Sequence, residues 1–427
     1  MTTTLADVLP SIAYAAAPRF DPAVWPVTAR ADDDGRLCVG EVPVTDIANE
    51  FRTPVYVIDE ADFRHRARRF RRGLPGAEVV YAGKSLLSIA VARWTREERL
   101  GLAVHSSGEL TTAIVGGVDP ARIVMHGDAK SVEELRAAVR VGVGRIVVDS
   151  CIEIAYLAGL AARRQRVLIR VAAERELYGH SLAETVARVL AHPNLDLIGL
   201  SCHAGSQVTD PGCYGAAIHR TVTAMADIRA NHGVILTELN LGGGQGIPYV
   251  HGDRELDIHE LAHVIDEALD AACAAERFPR PVVVVQPGRG ISGRAGITLY
   301  RVCSVTTQPR GRTFVAVDGG LSDSPRMAPC RAKYTVALAN RHSLERRQRV
   351  TVTGRHGANE IARDVELPVD VHPGDLLAVA CTGAYHHSMA CNYTIVGRPP
   401  LVAVKDGRAR ELIRRETTAD LLARDRG

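Results

Sequence analysis

The stretch Ala77-Glu78-Val79-Val80-Tyr81-Ala82-Gly83-Lys84-Ser85 decides how this chain folds. A short β-rich run ends at a glycine and a lysine, and a segment of helical period follows at residues 89–98. An apolar run of this length is the mark of a strand buried on both faces, and its helical successor completes one βα unit. The unit recurs in both directions. Residues 55–58 precede a helical segment at 61–72, residues 123–125 precede 132–138, and residues 145–148 precede 152–163. Further runs stand at 166–171, 195–200, 238–241 and 282–285, again with helical segments between them. Strands and helices alternating over about 230 residues predict a (β/α)8 barrel, an α/β fold with a parallel sheet.

After Gly288 the helical period largely stops. Runs at 314–317, 349–353 and 376–381 are broken by Gly and Pro, which predicts an antiparallel β domain at the C-terminal end. Residues 37–40 read as one more strand of that domain, and Asp32-Asp33-Asp34-Gly35 reads as a turn in an N-terminal arm. The expected division is an arm at 1–49, a barrel at 50–290 and a β domain at 291–427.

Composition narrows the function classes. A net charge of +3, with arginines scattered rather than blocked, gives no footing for nucleic acid or a membrane surface. No apolar run approaches the roughly 18 residues of a membrane span. No Lys or Arg precedes Arg19, so the apolar residues 12–17 make a poor signal peptide. Nine cysteines without a CxxC pair predict free thiols in a reducing compartment, and hence a cytoplasmic protein with no metal site.

In a parallel barrel the chemistry sits at the C-terminal ends of the strands, so the polar residues just after each run carry the functional signal. Lys84 is such a residue. Alone it reads as a surface cation; at a desolvated barrel mouth it can lose its charge and form a Schiff base with an aldehyde. His203, after the run at 195–200, is on its own more often a packed residue, though its imidazole could face a planar ring. Gly242-Gly243-Gly244-Gln245-Gly246 could turn several backbone N–H groups toward one phosphate, although turns also collect glycine. Arg289, in Gln286-Pro287-Gly288-Arg289, could give a forked contact to the same anion or serve as a structural ion-pair partner. Together they fit one phosphorylated aldehyde cofactor.

The order and wording of these segments resemble the fold-type III pyridoxal-phosphate decarboxylases, the diaminopimelate decarboxylase branch in particular. The likeness runs from about Gly35 to Asp425. It rests on Thr53-Pro54-Val55-Tyr56-Val57, Tyr81-Ala82-Gly83-Lys84, Ser106-Ser107-Gly108-Glu109-Leu110 and His126-Gly127-Asp128-Ala129-Lys130-Ser131. It continues through His203-Ala204-Gly205-Ser206-Gln207, the glycine loop, Val317-Asp318-Gly319-Gly320, Gly383-Ala384-Tyr385 and Ser388-Met389. The resemblance implies pyridoxal 5'-phosphate as cofactor, an amino acid as substrate and a homodimer with shared active sites. It implies that Lys84 bonds the cofactor aldehyde and that His203 stacks on the pyridine ring. Ser206, Gly243, Gly244, Gly246 and Tyr385 would hold the phosphate, with Gly288 and Arg289 close by. Gln286 would face the ring nitrogen, and Arg326 would bind a substrate carboxylate.

Four places depart from the family pattern. Gln286 stands where the family has a Glu that keeps the ring nitrogen protonated, and a neutral amide supplies no charge. Residues 354–360 lack the family's Cys-Glu-Ser motif; His356 or Glu360 could take over one of its roles, or be solvated loop residues. Residues 172–180 form a shortened substrate-side loop without the expected Lys, and Cys330 replaces a Tyr. These changes leave three readings: a decarboxylase of altered specificity, a racemase or other enzyme of Cα chemistry on the same cofactor, and a non-catalytic relative.

Overall fold

The structure, a computed structural model, describes residues 20–171, 181–309, 311–324, 333–356 and 360–427. The chain divides into two compact units. One comprises residues 64–247 and 254–291; the other comprises the described residues up to 63, with 248–253 and 292–427.

The first unit is a closed barrel of eight parallel strands: β1 (Ala77–Ala82), β2 (Gly101–Val104), β3 (Ile123–Met125), β4 (Arg145–Val148), β5 (Gln165–Arg170), β6 (Leu195–Ser201), β7 (Glu238–Asn240) and β8 (Val282–Val285). Each pairs with the next, and β8 closes on β1 with Val283 opposite Ala77 and Val285 opposite Val79. Val80, Ala103, Val124, Val147, Leu168 and Val284 form one buried cluster, with Ile198 packed against it. β-branched side chains dominate because they pack well on a pleated, fully buried surface. Each contributes roughly 1.5–3 kcal/mol when taken out of water. At the N-terminal end Arg145 binds Glu78 at 2.7 and 2.8 Å and Glu238 at 3.0 Å, joining β4, β1 and β7.

At the other end the strand-to-helix loops are cut short by serine caps. Ser88, Ser106, Ser131, Ser150 and Ser181 each accept the N–H three residues on, at about 1 kcal/mol apiece. The caps fix where each loop ends, and so where the residue after each strand points.

Two strand assignments differ from the sequence reading. Residues 55–58, expected in the barrel, form the strand Val55–Asp59 of the second unit, between Gly296–Thr307 and Leu401–Lys405. All five of its residues are buried, so it carries the same apolar signature as a barrel strand. The missing barrel strand is β2, whose Gly101-Leu102-Ala103-Val104 is short and poor in β-formers. Its glycine is a packing requirement: a Cβ on Gly101 would come within 2.8 Å of the Val80 side chain and 3.0 Å of the Arg122 carbonyl.

The second unit is built on a nine-stranded sheet. Most neighbours are antiparallel, but Val55–Asp59 pairs parallel to Leu401–Lys405, and Thr313–Val317 parallel to Arg347–Thr353. Residues 37–40 do supply a strand, Leu37–Val39, within a separate three-stranded sheet with Arg30–Ala31 and Val42–Pro43. Asp32 to Gly35 make the expected turn, closed by Gly35 N–H to Asp32 O at 2.9 Å. None of the eight described cysteines forms a disulfide; Cys330 lies outside the described residues. Among the described residues no group of acidic, His or Cys side chains is placed to hold a metal, and no helix is long and apolar enough to cross a membrane.

Candidate active site

Lys84 sits in the single turn Gly83–Ser85 that follows β1. The turn is held by Ser85, whose hydroxyl donates to Ala82 O at 2.9 Å, and by Tyr81, whose hydroxyl donates to Leu86 O at 2.8 Å. Lys84 is reachable from solvent. Even so, crowding at the barrel mouth lowers its ammonium below the usual lysine range; Arg170 adds to this, while Glu109 and Asp128 oppose it. A lysine so placed has more of its amine free to attack a carbonyl.

Two strand ends away, the glycine loop after β7 is shaped for an anion. Gly244 has φ +99°, and a Cβ there would stand 2.0 Å from Gly205 O; a Cβ on Gly243 would stand 2.5 Å from Gln286 O. The loop is braced from outside by the Tyr214 hydroxyl, which donates to Gly243 O at 3.0 Å, and by Gly246 N–H to Val208 O at 2.8 Å. The N–H groups of Gly243, Gly244 and Gln245 make no hydrogen bond among the described residues. The Gln245 side chain, 3% exposed, likewise has both amide atoms without a partner there. Arg289, after β8, donates to Gln207 Oε1 and approaches Ser206 Oγ at 3.4 Å. These unsatisfied donors, with a guanidinium close by, fit a phosphate group.

His203, after β6, lies beside the same loop. Its Nδ1 would be 3.1 Å from a Cβ on Gly242, and its Cε1 3.6 Å from one on Gly244. Burial, then the charges of Lys84 and Arg170, lower its pKa, which favours the neutral ring. A Cβ on Gly288 would come within 3.2 Å of Ala82 and 3.0 Å of Ser85, so this glycine lets the β8 end pass close to the Lys84 turn.

Sequence reading gave no individual role to several residues that the barrel brings here. His126 follows β3 and lies 2.8 Å from the amide nitrogen of Gln286. His105, after β2, stacks on His126 with ring centroids 5.3 Å apart and planes 17° apart. Arg170, the last residue of β5, pairs with Asp128. The signal that marked Lys84, an immediate position after a strand, was present for His105 and His126 as well.

The remaining expected site residues belong to the second unit or lie outside the described residues. Tyr385 belongs to the second unit, where its φ is +63°. Arg326 and residues 172–180 lie outside the described residues. In the second unit His356 is held on both ring nitrogens, accepting from Leu321 N–H at 3.2 Å and meeting Thr394 Oγ1 at 3.0 Å. It lines a surface cavity of about 460 Å³ with Arg355, Tyr393, Thr394 and Val396. Glu360 pairs with Arg363.

A barrel whose strand ends gather a lysine of lowered pKa, a glycine cradle and an arginine defines an enzyme that binds a phosphorylated aldehyde. A family model described as "Pyridoxal-dependent decarboxylase, pyridoxal binding domain" matches residues 60–293. A diaminopimelate decarboxylase of Actinosynnema pretiosum subsp. auranticum is 46% identical over 443 residues, covering 99% of this chain and 100% of its own length. One of Mycobacterium bovis is 40% identical, covering 94% and 97%. The crystal structure of a diaminopimelate decarboxylase from M. jannaschii superposes with a TM-score of 0.87 at 26% identity, covering 94% of this chain and 98% of that one. The chain belongs to the pyridoxal-dependent decarboxylases. It is a carboxy-lyase, and its cofactor is pyridoxal 5'-phosphate.

Proposed function

We propose that this chain removes a carboxylate, as carbon dioxide, from an α-amino acid of the diaminopimelate type, with Lys84 as the residue that holds the cofactor. The observation that carries the reading is the gathering of Lys84, three unsatisfied backbone N–H groups and Arg289 with Ser206 at one end of one barrel. When bound, pyridoxal phosphate supplies a ring that accepts the electron pair left behind by the departing carboxylate. Lys84 would hold its aldehyde, through an amine already shifted toward the neutral form. The N–H groups of Gly243, Gly244 and Gln245, with Ser206 and Arg289, would hold the phosphate; the Gly246 N–H is already given to Val208 O, and the His203 ring would face the pyridine. Gln286 would face the ring nitrogen. By resemblance alone, Tyr385 joins the phosphate contacts and Arg326 holds a substrate carboxylate.

Diaminopimelate is the first substrate to test, because relatives covering nearly the whole chain bear that activity in their names. A second reading, an amino acid with a different distal end, is favoured by residues 354–360, which lack the Cys-Glu-Ser motif of the family. The test is release of carbon dioxide from diaminopimelate and from a panel of amino acids and conjugates, with Lys84→Ala as the control. Turnover of diaminopimelate supports the first reading, and turnover of other panel members alone supports the second. Exchange of the Cα hydrogen with no carbon dioxide would overturn both. We place the protein in the cytoplasm as a homodimer with shared active sites, which analytical ultracentrifugation of the holoenzyme checks.

A further inference from the structure

Gln286 stands where a carboxylate would give the cofactor's ring nitrogen a countercharge, yet its surroundings are specific. It is 5% exposed, and its amide nitrogen lies 2.8 Å from Nε2 of His126. An amide nitrogen can only donate, so Nε2 of His126 accepts and the ring proton of that histidine sits on Nδ1. His126 is suited to this. Burial, and then the neighbouring His105, hold it well below the ordinary histidine range, so it stays neutral. Its plane is set by the stack on His105, whose backbone N–H is in turn tied to the Glu109 carboxylate at 2.7 Å. The other end of the Gln286 amide, Oε1, makes no hydrogen bond to any described residue.

We propose that His126 is a positioning residue for Gln286: by accepting the amide N–H it turns the Gln286 carbonyl oxygen, rather than its nitrogen, toward the ring nitrogen of the cofactor. The inference rests on the reading above, in which the cofactor lies at this barrel end with residue 286 at its ring nitrogen. Its consequence is chemical. A carbonyl oxygen can accept only from a protonated ring nitrogen, whereas an amide N–H would favour the unprotonated one. A fixed neutral dipole therefore takes over part of the role of a carboxylate, without its charge. Were His126 removed, the amide could rotate and offer either end.

Two measurements test this. In the ¹⁵N-labelled apoprotein, Nε2 of His126 is expected to be the unprotonated nitrogen and Nδ1 the protonated one; a proton on Nε2 overturns the proposal. This readout uses the unaltered chain and no cofactor, so it stands even if borohydride fails to trap the cofactor on Lys84, a result that would sink the site reading instead. In the holoenzyme, His126→Phe keeps an aromatic ring but cannot accept. It should move the pH midpoint of the bound cofactor's absorbance down by about one unit, through loss of a hydrogen bond to the charged form. His126→Gln, whose carbonyl can accept the same N–H, should restore most of the shift. An unchanged midpoint in His126→Phe also overturns the proposal.

Discussion

Nζ of Lys130 lies 2.5 Å from Oε1 of Glu153, and both side chains are closed to solvent, at 0% and 2% exposure. Lys130 also donates to Gly127 O at 2.7 Å and Val147 O at 2.6 Å, while Glu153 accepts Asp149 N–H at 3.1 Å. The pair thus ties the loop carrying His126 and Asp128 to the end of β4. Burial pushes the Glu153 carboxyl up, and Lys130 opposes that. Lys130→Met removes one partner of a buried pair, together with the donor to Gly127 O and Val147 O, a change that costs about 3–5 kcal/mol. Urea unfolding should show that loss, and the double variant with Glu153→Gln should recover a large part of it. Equal stability of both variants would mean that the pair is not coupled.

The glycine cradle allows a sharper separation of fold from function. Gly244→Ala must move the backbone, because its Cβ would stand 2.0 Å from Gly205 O. Strain of this kind costs on the order of 1–3 kcal/mol and displaces N–H groups aimed at the phosphate. Gly142→Ala is the matched control: its φ is +79° but nothing lies within 4 Å of the added carbon. Titration of the apoenzyme with pyridoxal phosphate should show affinity reduced roughly tenfold or more in Gly244→Ala, a factor of ten being about 1.4 kcal/mol. Gly142→Ala should lose some stability and leave the affinity as it was.

The candidate site was legible in the sequence wherever a candidate residue closely follows a strand. Lys84, His203, the glycine loop and Arg289 stand at strand ends of one barrel, which is where a parallel barrel carries its chemistry. Gln286 could be read from its place, but its partner could not: His126 is 160 residues away, and only barrel closure brings the two together. The fold was legible for the same reason and misread for another. An apolar run states that a strand is buried on both faces without stating in which sheet, so the strand Val55–Asp59 was taken for a barrel strand. In the opposite sense, Gly101 and Ala103 weaken the β signal of β2, because tight packing against Val80 there requires a residue without a side chain.

In the second unit, Asp323 makes a pH-dependent contribution that can be read directly. Its carboxyl is buried, accepting from the Tyr300 hydroxyl at 2.7 Å and from Gly320 N–H at 2.9 Å. Burial outweighs these bonds and pushes its pKa up to about 6, from an ordinary value of 3.8. The folded state therefore holds a proton that the unfolded state has lost across that window, and stability falls as pH rises from about 4 to about 6. Two pKa units correspond to about 3 kcal/mol. Asp323→Asn removes the titration. Denaturant unfolding at pH 4 and pH 7 should show the wild type losing up to about that much more stability than the variant across the interval. Identical pH dependence would show that Asp323 is ionised throughout.

Lys84 gives the prediction that bears most directly on the chemistry. Crowding sets most of the depression of its pKa, and Arg170 adds to it, while Asp128, the ion-pair partner of Arg170, pushes the other way. Only the neutral amine attacks an aldehyde, and its share falls tenfold for each pH unit below the pKa. Arg170→Met removes a cation and leaves Asp128 unopposed, so the pKa of Lys84 should rise and cofactor capture should move to higher pH. Asp128→Asn should move the profile to lower pH. Stopped-flow absorbance of apoenzyme mixed with pyridoxal phosphate across a pH series reads both shifts. The opposite signs are the test, since general damage to the barrel mouth would slow both variants without separating their midpoints.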